Sequence, residues 1–214
     1  ITDIDMKDGI LYVSQLEDGQ KLIDFLEDRT TRYTNGGWSP YPGNIQQRNA
    51  ALVWPSNLVS TPAIANVNVN AVAAVRDPFG LKDALGRPKH WWVVSLSTNT
   101  NVSIYNPHTN AIYDGTATSA DAQGIAMNKR GFTFLATNDT GNDDFYEFFD
   151  PIYTYSADGS TTLSSYNPSA SGASKLAWPT TPISGRTVMS DDGLSIVGEN
   201  ASRAFIYSTA GVYV

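Results

Sequence analysis

Short runs of alternating apolar and polar residues recur along the chain, and three of them follow a methionine and a glycine. The segments are Met6–Val13, Met127–Phe134 and Met189–Ile196, and in each the glycine lies three or four residues after the methionine. Alternation with a period of two indicates a half-buried β-strand, and a glycine before such a run is typical of a tight hairpin. We therefore expect each methionine to end one strand and each glycine to open the next.

Two further strands are predicted after each hairpin. The third strands are Ile23–Phe25, Ser103–Tyr105, Tyr153–Tyr155 and Phe205–Tyr207. The closing strands are Thr31–Tyr33, Ala111–Tyr113 and Thr161–Leu163. From the last residue of the third strand to the last residue of the closing strand, the spacing is eight residues in all three cases. The repeated unit therefore has four antiparallel strands, and it recurs about four times, at residues 1–55, 66–115, 120–178 and 183–214.

Four-stranded antiparallel units in tandem predict an all-β, propeller-like array. Each twisted sheet has two faces to bury, so neighbouring units pack against each other around an axis. A β-sandwich or β-solenoid with similar hairpin spacing is the alternative. Insertions are expected at 35–68, 77–89 and 138–144. The first is rich in Gly, Pro and Asn, and its segment Gly36–Gly43 is expected to lack regular structure. The start at Ile1 without a methionine and the short last unit favour an excerpt from a longer chain or a segment of a larger ring. The alternatives are a processed chain and a minimal four-bladed ring.

Composition narrows the classes of function. The formal net charge is −7, with 14 basic and 21 acidic residues, which argues against a nucleic-acid binder because such proteins need a basic patch. Cysteine is absent, so disulfides, thiolate nucleophiles and zinc–thiolate sites are excluded. No apolar run approaches the length of a transmembrane helix, so membrane insertion is not expected.

Candidate chemistry is sparse, and no catalytic residue or cofactor is predicted. The two histidines, His90 and His108, are expected to be exposed loop residues. A candidate calcium site consists of Asp139, Asp143 and Asp144, since hard carboxylate oxygens at this density suit Ca²⁺, although the spacing is not that of an EF-hand loop. The alternative for this segment is a solvated turn between two strands.

Aromatic and further acidic residues suggest two other kinds of site. Trp38 and Tyr41 lie in a Gly/Pro-rich segment, where rigid rings could bind a sugar or a partner protein or could pack on their own domain. Trp91 and Trp92 are adjacent on a predicted strand and must therefore face opposite sides, one in the core and one between units. Four acidic residues cluster in sequence and could supply paired carboxylates for glycoside hydrolysis: Asp143, Asp144, Glu147 and Asp150.

Several segments resemble a repeat in large structural proteins of marine tailed bacteriophages. The similar segments are Ile1–Ile4, Gly9–Val13, Leu22–Phe25, Val69–Val75 and Trp92–Tyr105. Where those repeats have a Gly-Gly turn, this chain has Asn99-Thr100-Asn101, which also suits a turn. The resemblance implies a virion component of the tail or a fibre built on propeller-like repeats, and it implies no particular site residues.

The sequence is consistent with three functions. The first is a structural or binding module of a phage virion, serving assembly or host-surface attachment, with other virion proteins, further copies of itself, or a host glycan or protein as partners. The second is an extracellular carbohydrate-active enzyme on a propeller. The third is a cellular propeller scaffold for protein interactions. Fold alone does not decide among them.

Overall fold

The described residues of the protein form four successive β-sheets. The structure is a computed structural model that describes residues 1–41, 43–50, 58–97, 102–116, 121–131, 133–138, 146–148, 152, 161–162, 187–189, 195–199, 204–208 and 211–213. Sheet 1 contains β1 (Asp3–Lys7), β2 (Ile10–Gln15), β3 (Gly19–Asp24), β4 (Arg29–Thr34) and β5 (Gly37–Tyr41), followed by the helix α1 (Ile45–Ala50). Sheet 2 contains β6 (Val69–Arg76), β7 (His90–Leu96), β8 (Val102–Asn106) and β9 (Ala111–Thr116).

The last two sheets repeat the same up-and-down order. Sheet 3 contains β10 (Asp121–Met127), β11 (Thr133–Asn138) and β12 (Tyr146–Phe148). The two-residue strand β13 (Thr161–Thr162) follows it in sequence but is the outermost strand of sheet 2, beside β9. Sheet 4 contains β14 (Thr187–Met189), β15 (Ser195–Glu199), β16 (Ala204–Ser208) and β17 (Gly211–Tyr213). No described helix has the length and apolarity needed to cross a membrane.

The first strands of the four sheets lie next to one another. The strand β6 packs against β1 on one side and β10 on the other, and β10 in turn packs against β14. Within each sheet the following strands lead away from these first strands in sequence order. This arrangement, with first strands innermost and sheets stacked face to face, is that of a propeller-like array. The predicted all-β fold class is therefore confirmed.

The methionine–glycine hairpins are formed as predicted. The strands β10 and β14 end at Met127 and Met189, and β1 ends one residue after Met6. In the first hairpin Asp8 and Gly9 both have positive φ, 48° and 83°. That combination defines the two-residue turn whose twist matches antiparallel strands, and glycine adopts it without a steric penalty.

Sheet 2 is buried on both faces, and adjacent tryptophans show how. The ring of Trp92 packs with Tyr12 and Tyr33 of sheet 1 in one apolar cluster. The ring of Trp91 lies in a second cluster that includes Ile125 of sheet 3. The expectation that the two rings face opposite sides of β7 is confirmed, and both of them pack between sheets. All seven residues of β7 are buried, as expected for a strand covered on both sides.

Carboxylates of sheet 1 accept hydrogen bonds from backbone N–H groups at the inner edge of sheet 2. The backbone N–H groups of Val72 and Ala74 point away from β7 and donate to Asp3 Oδ2 at 3.1 Å and Asp5 Oδ2 at 2.8 Å. An edge strand would otherwise present unpaired donors, which are costly when partly buried and which invite pairing with another chain. The alternating aspartates of β1 therefore join the first two sheets without a continuous β-ladder.

Two expectations for the connecting segments were wrong. Gly36–Gly43 was expected to lack regular structure, but it contains β5. Pro40 is accommodated because β5 is an edge strand, where one N–H of each pair of residues needs no ladder partner. Thr161 and Thr162 were expected to close the third unit with antiparallel pairing, but β13 pairs in parallel with Gly115 and Thr116 of β9. Leu163 lies outside the described residues.

We predict that Asp5→Ala lowers the free energy of unfolding by about 1–3 kcal/mol, because the Ala74 N–H loses its charged acceptor in a partly buried site. Urea denaturation followed by tryptophan fluorescence measures the change. Asp5→Asn is the matched control: it keeps a side-chain oxygen at this position and should lose less stability. Equal stability of Asp5→Ala and the wild type would contradict the assigned role of this carboxylate.

Candidate functional site

The turns that follow the first and third strands of each sheet lie at the same end of the sheets. The strands β1 and β6 run in the same direction, since Asp3, Asp5 and Asp8 meet Val72, Ala74 and Arg76 in that order. The turns after β1 and β6 are therefore neighbours, and the up-and-down order brings the turns after β3, β8 and β10 to the same end. We call this the hairpin end. It consists of residues 7–9, 24–29, 76–90, 107–110 and 128–131.

A buried histidine links the turn after β1 to sheet 2. The His90 Nδ1 atom lies 3.0 Å from the Tyr12 hydroxyl, and Nε2 lies 2.8 Å from Asp8 Oδ2. Arg76, opposite His90 in the ladder, donates its Nε to the same Asp8 oxygen at 2.7 Å and pairs Nη2 with Asp8 Oδ1. The hydrogen bond from Arg76 is the largest cause that lowers the pKa of Asp8 to about 2, although desolvation opposes it.

Burial also sets the state of the tyrosine in this network. Desolvation raises the pKa of Tyr12 well above its usual value, so the phenol stays neutral. The network runs from the exposed side chain of Arg76 to the buried Tyr12, and the side chain of its histidine is only 2% exposed. It therefore holds the first two sheets together, with the His90 ring enclosed between them.

A second aspartate–histidine pair lies on the other face of sheet 2. Asp77 Oδ1 accepts from Trp91 Nε1 at 2.8 Å and from His108 Nε2 at 2.6 Å. Its Oδ2 accepts from the backbone N–H groups of Phe79 at 3.1 Å and Leu81 at 2.8 Å. Burial alone would raise the pKa of Asp77, but these donors outweigh it and lower the pKa. The ionised Asp77 therefore anchors the start of the loop between β6 and β7.

Arg87 clamps the same loop onto sheet 1. Its Nη1 donates to Asp24 Oδ1 at 3.1 Å, its Nη2 to Glu27 Oε1 at 2.6 Å and its Nε to Asp83 Oδ2 at 2.6 Å. Asp24 also accepts from the backbone N–H groups of Leu26 and Glu27, both at 3.0 Å. One guanidinium thus ties the turn after β3 to the loop after β6. Both segments are fixed by charge-assisted hydrogen bonds.

Large apolar side chains project from these two fixed segments. Phe25 and Leu26 are 49% and 66% exposed, and Phe79 and Leu85 are 67% and 65% exposed. We call these four the apolar tip residues. Phe79 contacts the partly exposed ring of His108 edge-on, with ring centroids 5.8 Å apart. Exposed apolar groups with a polar border are characteristic of interaction surfaces.

The structure places Trp38 and Tyr41 on the strand β5, where Tyr41 pairs with Thr30 beside the hairpin-end turn after β3. The Trp38 ring stacks on Tyr33 with centroids 6.5 Å apart, and its Nε1 donates to the Thr61 carbonyl at 2.9 Å. The Tyr41 hydroxyl donates to the Gln47 carbonyl at 3.4 Å. Trp38 thus packs on its own domain, which was one of the two alternatives. Ligand binding by Trp38 and Tyr41 stays a prediction.

The predicted acidic sites fall largely outside the described residues. Asp139, Asp143, Asp144 and Asp150 lie there, so the calcium site stays a prediction. Glu147 lies on the described backbone of β12. Within the described residues, no group of three or more His, Asp or Glu side chains is placed to hold a metal ion.

The expectation that both histidines are exposed was wrong for His90. Its position beside an insertion suggested a loop, but β7 begins at His90, which pairs with Arg76. Sequence reasoning also missed the pairing of Asp8 with His90, which lie 82 residues apart, and of Asp77 with His108. No local pattern distinguishes these aspartates from ordinary turn residues.

Comparison with known proteins finds similarity at the level of structure. No protein-family model and no curated protein matches the sequence. The Dos1 propeller has a TM-score of 0.49 and 10% identity, over 99% of this chain and 56% of that one. The WD40 β-propeller domain of Doa1 has a TM-score of 0.49 and 11% identity, over 96% of this chain and 62% of that one.

A third similar structure is an auxiliary nutrient binding protein from Bacteroides thetaiotaomicron VPI-5482. It has a TM-score of 0.47 and 11% identity, over 99% of this chain and 56% of that one. The chain thus spans 56% to 62% of the length of these solved chains. The fold assignment rests on the sheet order and packing described above.

We predict that Asp8 makes stability depend on pH between about 4 and 2. A folded-state pKa below the unfolded value of about 3.9 stabilises the fold above that pH, and the gain is lost as pH falls through the folded pKa of about 2. Asp8→Asn should remove on the order of 1 kcal/mol of this dependence, after allowance for solvent screening of a partly exposed pair. Urea denaturation at a series of pH values measures it.

Asp28→Asn is the control for this experiment, because Asp28 has the same φ of 48° in the neighbouring turn. Asp28→Asn should leave most of the change in the free energy of unfolding between pH 4 and 2 intact. An unchanged slope in Asp8→Asn would show that the Asp8–Arg76–His90 contacts do not contribute to acid stability.

Proposed function

We propose that the chain is a protein-binding scaffold and that its docking surface is the hairpin end. The observation that carries the proposal is the position of the four apolar tip residues on turns that Arg87 and Asp77 hold in place. Side chains presented on fixed turns lose little conformational entropy on binding. Buried apolar and aromatic anchors contribute most of the energy of protein interfaces.

The chemistry of the same end favours binding over catalysis. His90 is enclosed by Tyr12 and Asp8, and both oxygens of Asp77 are occupied by donors. These groups are engaged in holding loops, and a general acid or base must instead be within reach of the substrate. The polar network therefore supports a surface on which a partner binds.

We further propose that the scaffold is a module of a virion tail or fibre, acting in assembly or host attachment. This finer assignment is supported by the sequence resemblance to phage structural repeats, carried by segments such as Val69–Val75 and Trp92–Tyr105. A cellular scaffold with the same docking surface fits the fold equally well. The location of the protein separates the two.

The docking surface is tested by Phe79→Ser combined with Leu85→Ser. Both side chains are mostly exposed, so we expect stability to change by no more than about 0.5 kcal/mol. Affinity for a protein partner should fall at least about tenfold, because two interface anchors are lost. Isothermal titration calorimetry measures the affinity, once cross-linking of the native protein and mass spectrometry have identified the partner.

Leu16→Ser is the matched control, since Leu16 is 55% exposed but lies between β2 and β3 at the opposite end. It should bind as the wild type does. If Leu16→Ser weakens binding while the double variant does not, the docking surface lies at the opposite end and the proposal is wrong.

The virion assignment is tested by mass spectrometry of purified, nuclease-treated particles. We expect peptides of this chain at a fixed copy number relative to the major particle proteins. Their absence from particles, together with their presence in uninfected cells, would overturn the virion assignment and favour the cellular scaffold.

A further inference from the structure

Basic residues concentrate at the hairpin end of a chain that is acidic as a whole. Of the 14 lysines and arginines, eight lie on its turns, although the formal net charge of the chain is −7. They are Lys7, Arg29, Arg76, Lys82, Arg87, Lys89, Lys129 and Arg130. The same turns carry six carboxylates: Asp8, Asp24, Glu27, Asp28, Asp77 and Asp83. The described turns of this end thus carry eight basic residues against six acidic ones, in a chain that is acidic as a whole.

Three of these carboxylates are held by donors within the fold, whereas many of the basic groups face solvent. Asp24 and Asp77 are buried, and Asp83 binds Arg87 and two backbone N–H groups. By contrast, the side chains of Arg29 and Arg76 are 59% and 67% exposed even though each has a carboxylate partner. Lys82, Lys129 and Arg130 are exposed as well. A partner approaching this end therefore meets positive charge first.

Basic residues flank the exposed apolar side chains in the loop between β6 and β7, and this combination indicates the class of partner. The apolar tip residues Phe79 and Leu85 lie in the same loop as Lys82, between Arg76 and Lys89. A sulfated glycan or a phosphate backbone would pair with the charges and leave four large apolar groups uncovered. A polypeptide with acidic and apolar side chains satisfies both.

We propose that the hairpin end binds a protein partner through an acidic segment that also carries apolar side chains. Its apolar residues cover Phe79 and Leu85, and its carboxylates pair with the exposed basic residues around them. The inference rests on the proposed function and adds the chemistry of the partner. Charge complementarity of this kind raises the association rate and excludes basic partners.

The test is a selection from an mRNA-displayed library of random peptides of about twelve residues, a length that extends across a surface groove. The full chain is the bait. We expect selected peptides to be enriched in Asp and Glu together with Leu, Phe, Tyr or Trp. The affinity of the best peptide should fall at least about tenfold when NaCl is raised from about 50 to about 500 mM.

Charge variants assign the effect to this end. Lys82→Gln, Lys129→Gln and Arg130→Gln combined should weaken peptide binding about tenfold, as the loss of three exposed ion pairs implies. The control combines Leu16→Glu, Asn35→Asp and Ser60→Glu, which lowers the net charge by the same three units at exposed positions outside the hairpin-end turns. The control should change the affinity by no more than about twofold.

Each outcome decides between the two proposals. Peptides that depend on Phe79 and Leu85 but are neutral or basic would overturn the acidic segment and leave the docking surface standing. Acidic peptides that bind equally to Phe79→Ser/Leu85→Ser would overturn the docking surface itself. Binding of heparin that competes with the peptides and ignores the Phe79 and Leu85 changes would show a polyanion site instead. Absence of any selected peptide would also count against the inference.

Discussion

The fold depends on burying both faces of the second sheet. The strand β7 carries large apolar groups on both faces: the adjacent residues Trp91 and Trp92 point to opposite sides of the sheet. A single sheet with two such faces would expose both to water, at a cost of about 25 cal/mol for each Å² of apolar surface. Sheets 1 and 3 cover them. Each of those sheets in turn has another face, and this is the physical reason that the units occur in tandem.

Stacking sheets face to face leaves their edges to be satisfied in another way. At the inner edge of β6, Asp3 and Asp5 take the donors at Val72 and Ala74. At the outer edge of sheet 1, β5 exchanges two hydrogen bonds with Val59 through Trp38. Edges closed by side chains and short bridges let a sheet end without recruiting another strand. In the β1 sequence DIDMK, the two aspartates therefore have a second role: they accept hydrogen bonds from the backbone of the next sheet.

Local pattern predicted what depends on neighbours in sequence and missed what depends on distant contacts. The hairpin at Asp8–Gly9 and the ends of β10 and β14 follow from period-two alternation and turn chemistry, which are local. The strand β5 was missed because its Gly and Pro residues favour a loop. Gly37 is required there by close approach, since a Cβ atom would lie 2.0 Å from the Val59 carbonyl oxygen.

The candidate site was missed for the same reason. Its members lie far apart in sequence, as Asp24 and Arg87 do at a separation of 63 positions, and turn aspartates are common wherever strands reverse. Only the packing of sheet 1 on sheet 2 brings them together.

The polar network and the exposed apolar residues are two parts of one arrangement. Without internal contacts, the loop 77–89 between β6 and β7 would sample many conformations. Exposed apolar groups on it would then bind weakly, because ordering them costs entropy. Asp77 and Asp83 remove that freedom by accepting backbone N–H groups inside the loop, and Arg87 joins it to the turn that carries Leu26. Because these carboxylates accept hydrogen bonds within the protein, the charged side chains in and beside the loop that are most exposed to solvent are basic ones such as Arg76 and Lys82. The same interactions that fix the shape of the surface therefore also determine its charge.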